Sequence, residues 1–114
     1  MISISEDTKN NISVISINGN FTIEHINEIE TVFREVLAKM PEVIGISFKD
    51  VDYIDSIGIN NLCKFTQSAH RENIELVIFE ANKFITEIFH ITKLDKIYRI
   101  INKEIFDNEY IRSE

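Results

Sequence analysis

Two short, almost uninterrupted apolar runs, Val43-Ile44-Gly45-Ile46-Ser47-Phe48 and Leu76-Val77-Ile78-Phe79, stand between stretches whose apolar residues recur at helical spacing. Such runs mark strands covered on both faces, and strands alternating with helices imply a mostly parallel sheet joined by right-handed crossovers. Before the first run, Ile26, Ile29, Phe33, Val36, Leu37 and Met40 recur at spacings of 3, 4, 3, 1 and 3. That is one face of a helix beginning near Thr22 and stopped by Pro41. Between the runs, Ile59, Leu62, Cys63, Thr66 and Ala69 form a second helical face; after them, Asn82 caps a third helix that carries Ile85, Ile88 and Phe89 inward. At the start, Ile2 and Ile4 alternate with Ser3 and Ser5, residues 6–11 read as a turn, and residues 12–17 form a second strand ending at Asn18-Gly19-Asn20. The connection is too short for a parallel crossover, so these two strands form a hairpin. Residues 97–101 read as the last strand and residues 103–111 as a closing helix, with Phe106 and Tyr110 one turn apart. The expected order is β-β-α-β-α-β-α-β-α, an α/β fold within a single domain of residues 1–114.

Only 3 Gly and 1 Pro punctuate the chain, which leaves no Gly-rich phosphate cradle and no floppy linker. With 12 Lys+Arg against 19 Asp+Glu the net charge is −7, a surface that repels phosphate backbones and anionic lipid heads. Nucleic acid is therefore not an expected partner. One Cys cannot form an internal disulfide and suits a reducing compartment. No apolar run approaches 18 residues and no basic-then-apolar leader opens the sequence, so a cytoplasmic protein without membrane insertion is expected. A chain of this size and charge is expected to be a monomer or a weak dimer.

Ligands of parallel sheets sit at the carboxyl ends of strands, where the following helices begin. The segment there is Asp50-Val51-Asp52-Tyr53-Ile54-Asp55-Ser56-Ile57-Gly58-Ile59-Asn60. Asp55 is a good N-cap, Ser56 would take the first helical position near the surface, and Gly58 removes side-chain bulk one turn in. Asp-Ser at a helix start is also ordinary capping chemistry, and spacing alone does not separate a cap from a site. In the functional reading, a phosphoryl group on Ser56 would add about −1.5 to −2 charges beside Asp50, Asp52 and Asp55. A docked partner would meet both bulk and repulsion while the fold survived.

The stretch Ile44 through Ile59, with its strand, loop and Asp55-Ser56-Ile57-Gly58 helix start, resembles the signature of STAS domains, bacterial anti-sigma factor antagonists in particular. Ile88-Phe89-His90-Ile91-Thr92-Lys93-Leu94-Asp95-Lys96-Ile97-Tyr98-Arg99-Ile100 resembles the family's second recurring pattern. The resemblance implies a mixed sheet with helices mainly on one face and a non-enzymatic, partner-switching role in transcription regulation. It implies binding to an anti-sigma factor that is itself a serine kinase, release on phosphorylation of Ser56, and restoration by a phosphatase. Asp55, Ile57, Gly58, Ile59 and Asn60 would be the partner-binding context, with no cofactor. A constitutive STAS scaffold or accessory subunit, in a stress-signalling assembly or a lipid-transport complex, is the alternative that the family offers. Four positions depart from the family pattern. Thr22 stands where an acidic residue is common, Ser47-Phe48 replaces an Asp-Leu pair, and bulky Ile57 follows the phosphoacceptor where a small residue is usual. Within this reading Ser56→Asp is expected to keep the fold and lose the partner. Gly58→Val is expected to obstruct docking with little effect on stability.

Other chemistries fit less well. His25, His70 and His90 could serve a Ser-His-Asp hydrolase, but Ile54-Asp55-Ser56-Ile57-Gly58 lacks the Gly-x-Ser-x-Gly elbow. The His spacing does not suggest a metal site, and Asp50, Asp52 and Asp55 lack the central Gly and later Glu of a calcium loop. Cys63 lies on an apolar helix face and reads as a buried structural thiol. Phe84, Phe89, Phe106 and Tyr110 read as core residues.

Overall fold

The computed structural model describes residues 2–96 and 99–111. Its strands and helices follow the expected order: β1 (Ser3–Lys9), β2 (Ile12–Asn18), α1 (Ile26–Ala38), β3 (Val43–Asp50), α2 (Ser56–Arg71), β4 (Glu75–Phe79), α3 (Lys83–Ile91), β5 (Arg99–Ile101) and α4 (Lys103–Phe106). The sheet runs β1-β2-β3-β4-β5, with β1 antiparallel to β2 and every other pair parallel. Of the last strand expected over 97–101, Ile97 and Tyr98 lie outside the described residues.

The opening strand is longer than its alternation suggested. Residues 6–9 continue β1, and the turn shrinks to Asn10 and Asn11, whose φ values are 53° and 65°. Asparagine tolerates the left-handed region, and two such residues make the tight turn whose twist matches a hairpin. Lys9 consequently faces Ile12 and Ser3 faces Asn18. The polar run Glu6-Asp7-Thr8 belongs to an edge strand, which has no second neighbour and stays largely exposed.

The first helix also starts and stops differently. A 3₁₀ turn over Ile23–His25 precedes α1, and Met40 lies beyond its end at φ 51°, more than half exposed. Met40 is therefore not on the helix's apolar face as its spacing suggested. Pro41 disfavours the right-handed helical region for the residue before it.

Period-2 alternation sorts the sheet's side chains into two layers. Ile15 and Ile17 of β2, Ile44, Ile46 and Phe48 of β3, and Ile78 of β4 join the core shared with Ile29, Phe33 and Val36 of α1, Leu62, Phe65 and Ala69 of α2, and Ile85 and Phe89 of α3. Aromatic contacts run through that layer, with ring centroids 3.9 Å apart for Phe33–Phe65 and 5.8 Å for Phe48–Phe89. On the opposite face a smaller cluster of Ile12, Val77, Phe79 and Phe106 gathers under α4. Three helices thus cover one face and one short helix, extended by a π turn over Asp107–Ile111, covers part of the other. Phe89 and Phe106 are core residues as expected, and Tyr110 is half-buried beside Phe106. Cys63 is half-buried against the core, and desolvation pushes its thiol pKa up, as befits an inert side chain.

One ion pair ties the edge strand to the helix layer. Glu6 of β1 accepts from Lys39 Nζ and from Thr8 Oγ1, and these bonds, Lys39 first, hold its carboxyl below the ordinary value of 4.5. A depressed folded-state pKa gives stability that is present above the unfolded value and lost as pH falls through the folded one. Urea midpoints should therefore hold steady down to about pH 5 and decline below about 4.5. In Glu6→Gln that part of the acid limb should be flatter, by less than about 1 kcal/mol because the pair is near the surface. An identical acid limb in the variant would remove Glu6 from this role.

Candidate functional site

The carboxyl ends of β2 and β3 are stitched together where α2 begins. Gly19 N donates to Asp50 O at 3.2 Å, Phe21 N to Tyr53 O at 2.9 Å and Asp55 N to Phe21 O at 3.3 Å. Phe21 and Ile54 form an isolated parallel bridge. Asp55 is the expected N-cap, with extended backbone, and its Oδ1 accepts from Gly58 N at 2.8 Å. Its Oδ2 accepts from Ile23 N at 3.0 Å. Both carboxylate oxygens are thus taken up inside the chain. Asp55 fastens the segment before α1 to the first turn of α2, a role that helix-start spacing alone did not reveal.

Ser56 follows as the first residue of α2, exposed, where the first amides of a helix lack intrahelical partners and the macrodipole favours negative charge. Its hydroxyl makes no hydrogen bond among the described residues; His25 pairs instead with Glu28 at 3.7 Å and His90 with Asp95 at 2.9 Å. Ile57 is 39% exposed and Asn60 is exposed. Ile59 is half-buried and packs against the core, so it presents only part of its side chain outward.

Gly58 must be reassigned. It is buried, and a Cβ built there would lie 2.2 Å from the Phe21 carbonyl oxygen, 2.7 Å from Phe21 Cδ1 and 2.9 Å from Ile54 Cγ1. The space that its missing side chain leaves is filled by the chain's own Phe21, fully buried between Phe33 and Phe48. Gly58 is thus a packing residue that lets the two loops close, and its substitution bears on stability first.

Just after the carboxyl ends of β2, β3 and β4, three large apolar side chains are exposed. Tyr53 is 47% exposed, Phe84 48% and Ile23 62%. Tyr53 and Phe84 stack with centroids 5.8 Å apart and planes 16° from parallel. Phe84 is therefore not core. Its position one residue before Ile85, in a helix whose inward set is Ile85 and Phe89, is the signal that could have found it. Asn82 caps α3 through Ile85 N at 2.8 Å, and its Nδ2 donates to the carbonyls of Val51 and Asp52, each at 3.3 Å. The start of α3, which bears Phe84, is thereby tied to the loop bearing Tyr53, as Asp55 ties in Ile23, and Glu24, Asp50 and Asp52 add exposed negative charge in these segments.

The sequence matches the family model of the STAS domain over residues 3–109, nearly its whole length. The chain belongs to the STAS domain family. A STAS domain accounts for the mixed sheet, and solved structures share its fold. A putative anti-sigma factor antagonist from Thermotoga maritima is 21% identical with a TM-score of 0.86, covering 96% of this chain and 94% of its own. The Bacillus cell fate determinant SpoIIAA in its phosphorylated form is 11% identical with a TM-score of 0.73, covering 93% and 97%. The STAS domain of a SulP transporter from Vibrio cholerae is 20% identical with a TM-score of 0.70, covering 83% and 76%. No curated protein matches the sequence. Among the described residues of this STAS domain, no helix is long and apolar enough to cross a membrane.

Proposed function

We propose that this STAS domain is a non-enzymatic anti-sigma factor antagonist, a cytoplasmic partner-switching regulator that binds a serine-kinase anti-sigma factor and is released by phosphorylation at Ser56. The observation that carries the reading is the exposed Ser56 at the mouth of α2, followed by the exposed Ile57 and preceded three residues earlier by the exposed Tyr53. A kinase can reach that serine, and a partner seated over it would contact apolar surface of the kind found at interface centres. Ile57 and Asn60 supply contacts from the helix itself, and Asp55 and Gly58 hold the surface in shape. A phosphatase would reset the switch.

The likeness to a SulP transporter's STAS domain favours a second reading, an accessory or scaffold domain with no phosphate cycle. The two part at Ser56. Incubation of the pure chain with ATP and each anti-sigma-type kinase of the source organism, followed by mass spectrometry, is expected to place one phosphate on Ser56. Ser56→Ala should stay unmodified and still bind the kinase. Absence of phosphate with every kinase would leave the scaffold reading standing.

A further inference from the structure

We propose that the seam between α1 and α2 is a docking groove for an acidic amphipathic helix of a partner protein, a surface set apart from the mouth of α2.

Two hollows of about 230 Å³ and 320 Å³ adjoin along that seam, with Arg34, Leu37 and Ser68 common to both. The first has an apolar floor, where Phe33 of α1 and Phe65 of α2 stack with centroids 3.9 Å apart. Leu37 is half-buried beside them. Met40 lines the second hollow, 54% exposed and at φ 51°. A large side chain held in the left-handed region and in water is uncommon, and methionine adapts its shape readily to a partner's surface.

The rim differs in sign from the molecule as a whole. The chain carries a net charge of −7, yet the 16 residues of α2 include no Asp or Glu. Lys64 and Arg71 of α2 line the groove together with Arg34 of α1, against Glu30 and Glu72. Glu30 accepts from Asn61 Nδ2 at 2.7 Å, and among the described residues neither Arg34 nor Lys64 has an ion-pair partner. Lys64 and Arg71 stand two turns apart on one face of α2, about 10 Å along its axis. A docked helix with carboxylates at i and i+7 reaches both cations. Its apolar residues at i+3 and i+4 then lie over small Ser68, Leu37 and the stacked rings, the usual anchoring of a helix in a groove. An anionic bilayer or nucleic-acid backbone fits less well, because it also meets the acids on the rest of the surface.

The probe is a synthetic fluorescent Ala-rich helix of about 20 residues, long enough to hold its shape, with Glu at i and i+7 and Leu at i+3 and i+4. Its control carries Lys in place of Glu. Fluorescence anisotropy should give a Kd below about 1 mM for the Glu helix, with the Lys helix at least about tenfold weaker. Arg34→Glu and Lys64→Glu should each weaken the Glu helix by about threefold or more. The double variant should reverse the preference and favour the Lys helix. Both side chains are exposed, so circular dichroism should show the variants folded. Affinity should also fall between about 0.1 M and 1 M salt, as screening shortens from about 10 Å to about 3 Å. Ser56→Ala should bind the Glu helix as the wild type does. Equal binding of the two helices, wild-type affinity in the charge variants, or no binding at about 1 mM peptide overturns the groove. Loss of binding in Ser56→Ala, or tighter binding to phosphatidylglycerol vesicles than to the Glu helix, overturns it as well.

Discussion

Gly58→Val is expected to remove about 3 kcal/mol or more of folding stability, the upper range for forcing atoms into a filled site. A Cβ at this position would sit 2.2 Å from the carbonyl oxygen of Phe21, a contact that something must yield to relieve. Phe21 has little room to yield. Its amide is bonded to Tyr53 O at 2.9 Å, its carbonyl accepts from Asp55 N, and its ring lies 6.0 Å from Phe33 and 5.9 Å from Phe48. Against a total stability of about 5–15 kcal/mol the loss should lower the melting temperature by about 10 °C or more. Gly58→Ala separates the clash from the branching of valine. Helix propensity alone would make alanine better than glycine by about 0.8–1 kcal/mol, whereas the clash opposes it by more. The sign of the alanine change therefore decides. Thermal and urea unfolding of both variants should show destabilisation, and a more stable alanine variant would mean that Phe21 moves aside freely.

Much of the fold is legible before any coordinates, because burial of Ile44 and Leu76 with their neighbours fixes the parallel strands and Asp55 and Asn82 mark helix starts by their hydrogen-bonding chemistry. These signals are local: a residue's own side chain supplies the acceptor, or its neighbours supply the period. What escaped depends on contacts distant in sequence. Gly58 looks like open space until Phe21, 37 residues earlier, is seen to fill it. Asp55 looks like a cap until Ile23 arrives to use its second oxygen. Phe84 belongs by composition to a core, yet the phase of α3 turns it outward and Tyr53 of another loop completes its surroundings. The polar residues 6–9 resemble a turn because an edge strand with one exposed face has the same composition as a turn. Ser56 lies exposed at the helix mouth, a position that follows from the Asp55 cap immediately before it.

Phe106→Ala should be the other large stability change, about 3 kcal/mol for a buried phenylalanine, with consequences confined to the helix-poor face of the sheet. The ring stacks on Phe79 with centroids 4.5 Å apart, reaches Tyr110 at 5.2 Å and lies over Gly45, where an added Cβ would meet Phe106 Cζ at 2.6 Å. The remaining ties of α4 are polar and near the surface: Lys103 N to Glu80 at 2.6 Å, Ile105 N to the Asn102 cap at 2.8 Å, and Arg99 to Glu109 and Tyr110. Such ties are individually weak, so losing the ring should free α4 to exchange its amides while α1 to α3 stay protected. Binding at the mouth of α2 should survive below the lowered melting temperature, because the core that positions Phe21 and Asp55 lies on the other face. Gly45→Ala tests the packing directly. In the wild-type chain the new methyl collides with the ring, whereas in Phe106→Ala the same methyl enters vacated space and meets chiefly Phe79 at 3.3 Å. The double variant should therefore be more stable than the sum of the two single losses by about 1 kcal/mol or more. Strictly additive losses would show that Gly45 and the ring are not packed against each other in solution.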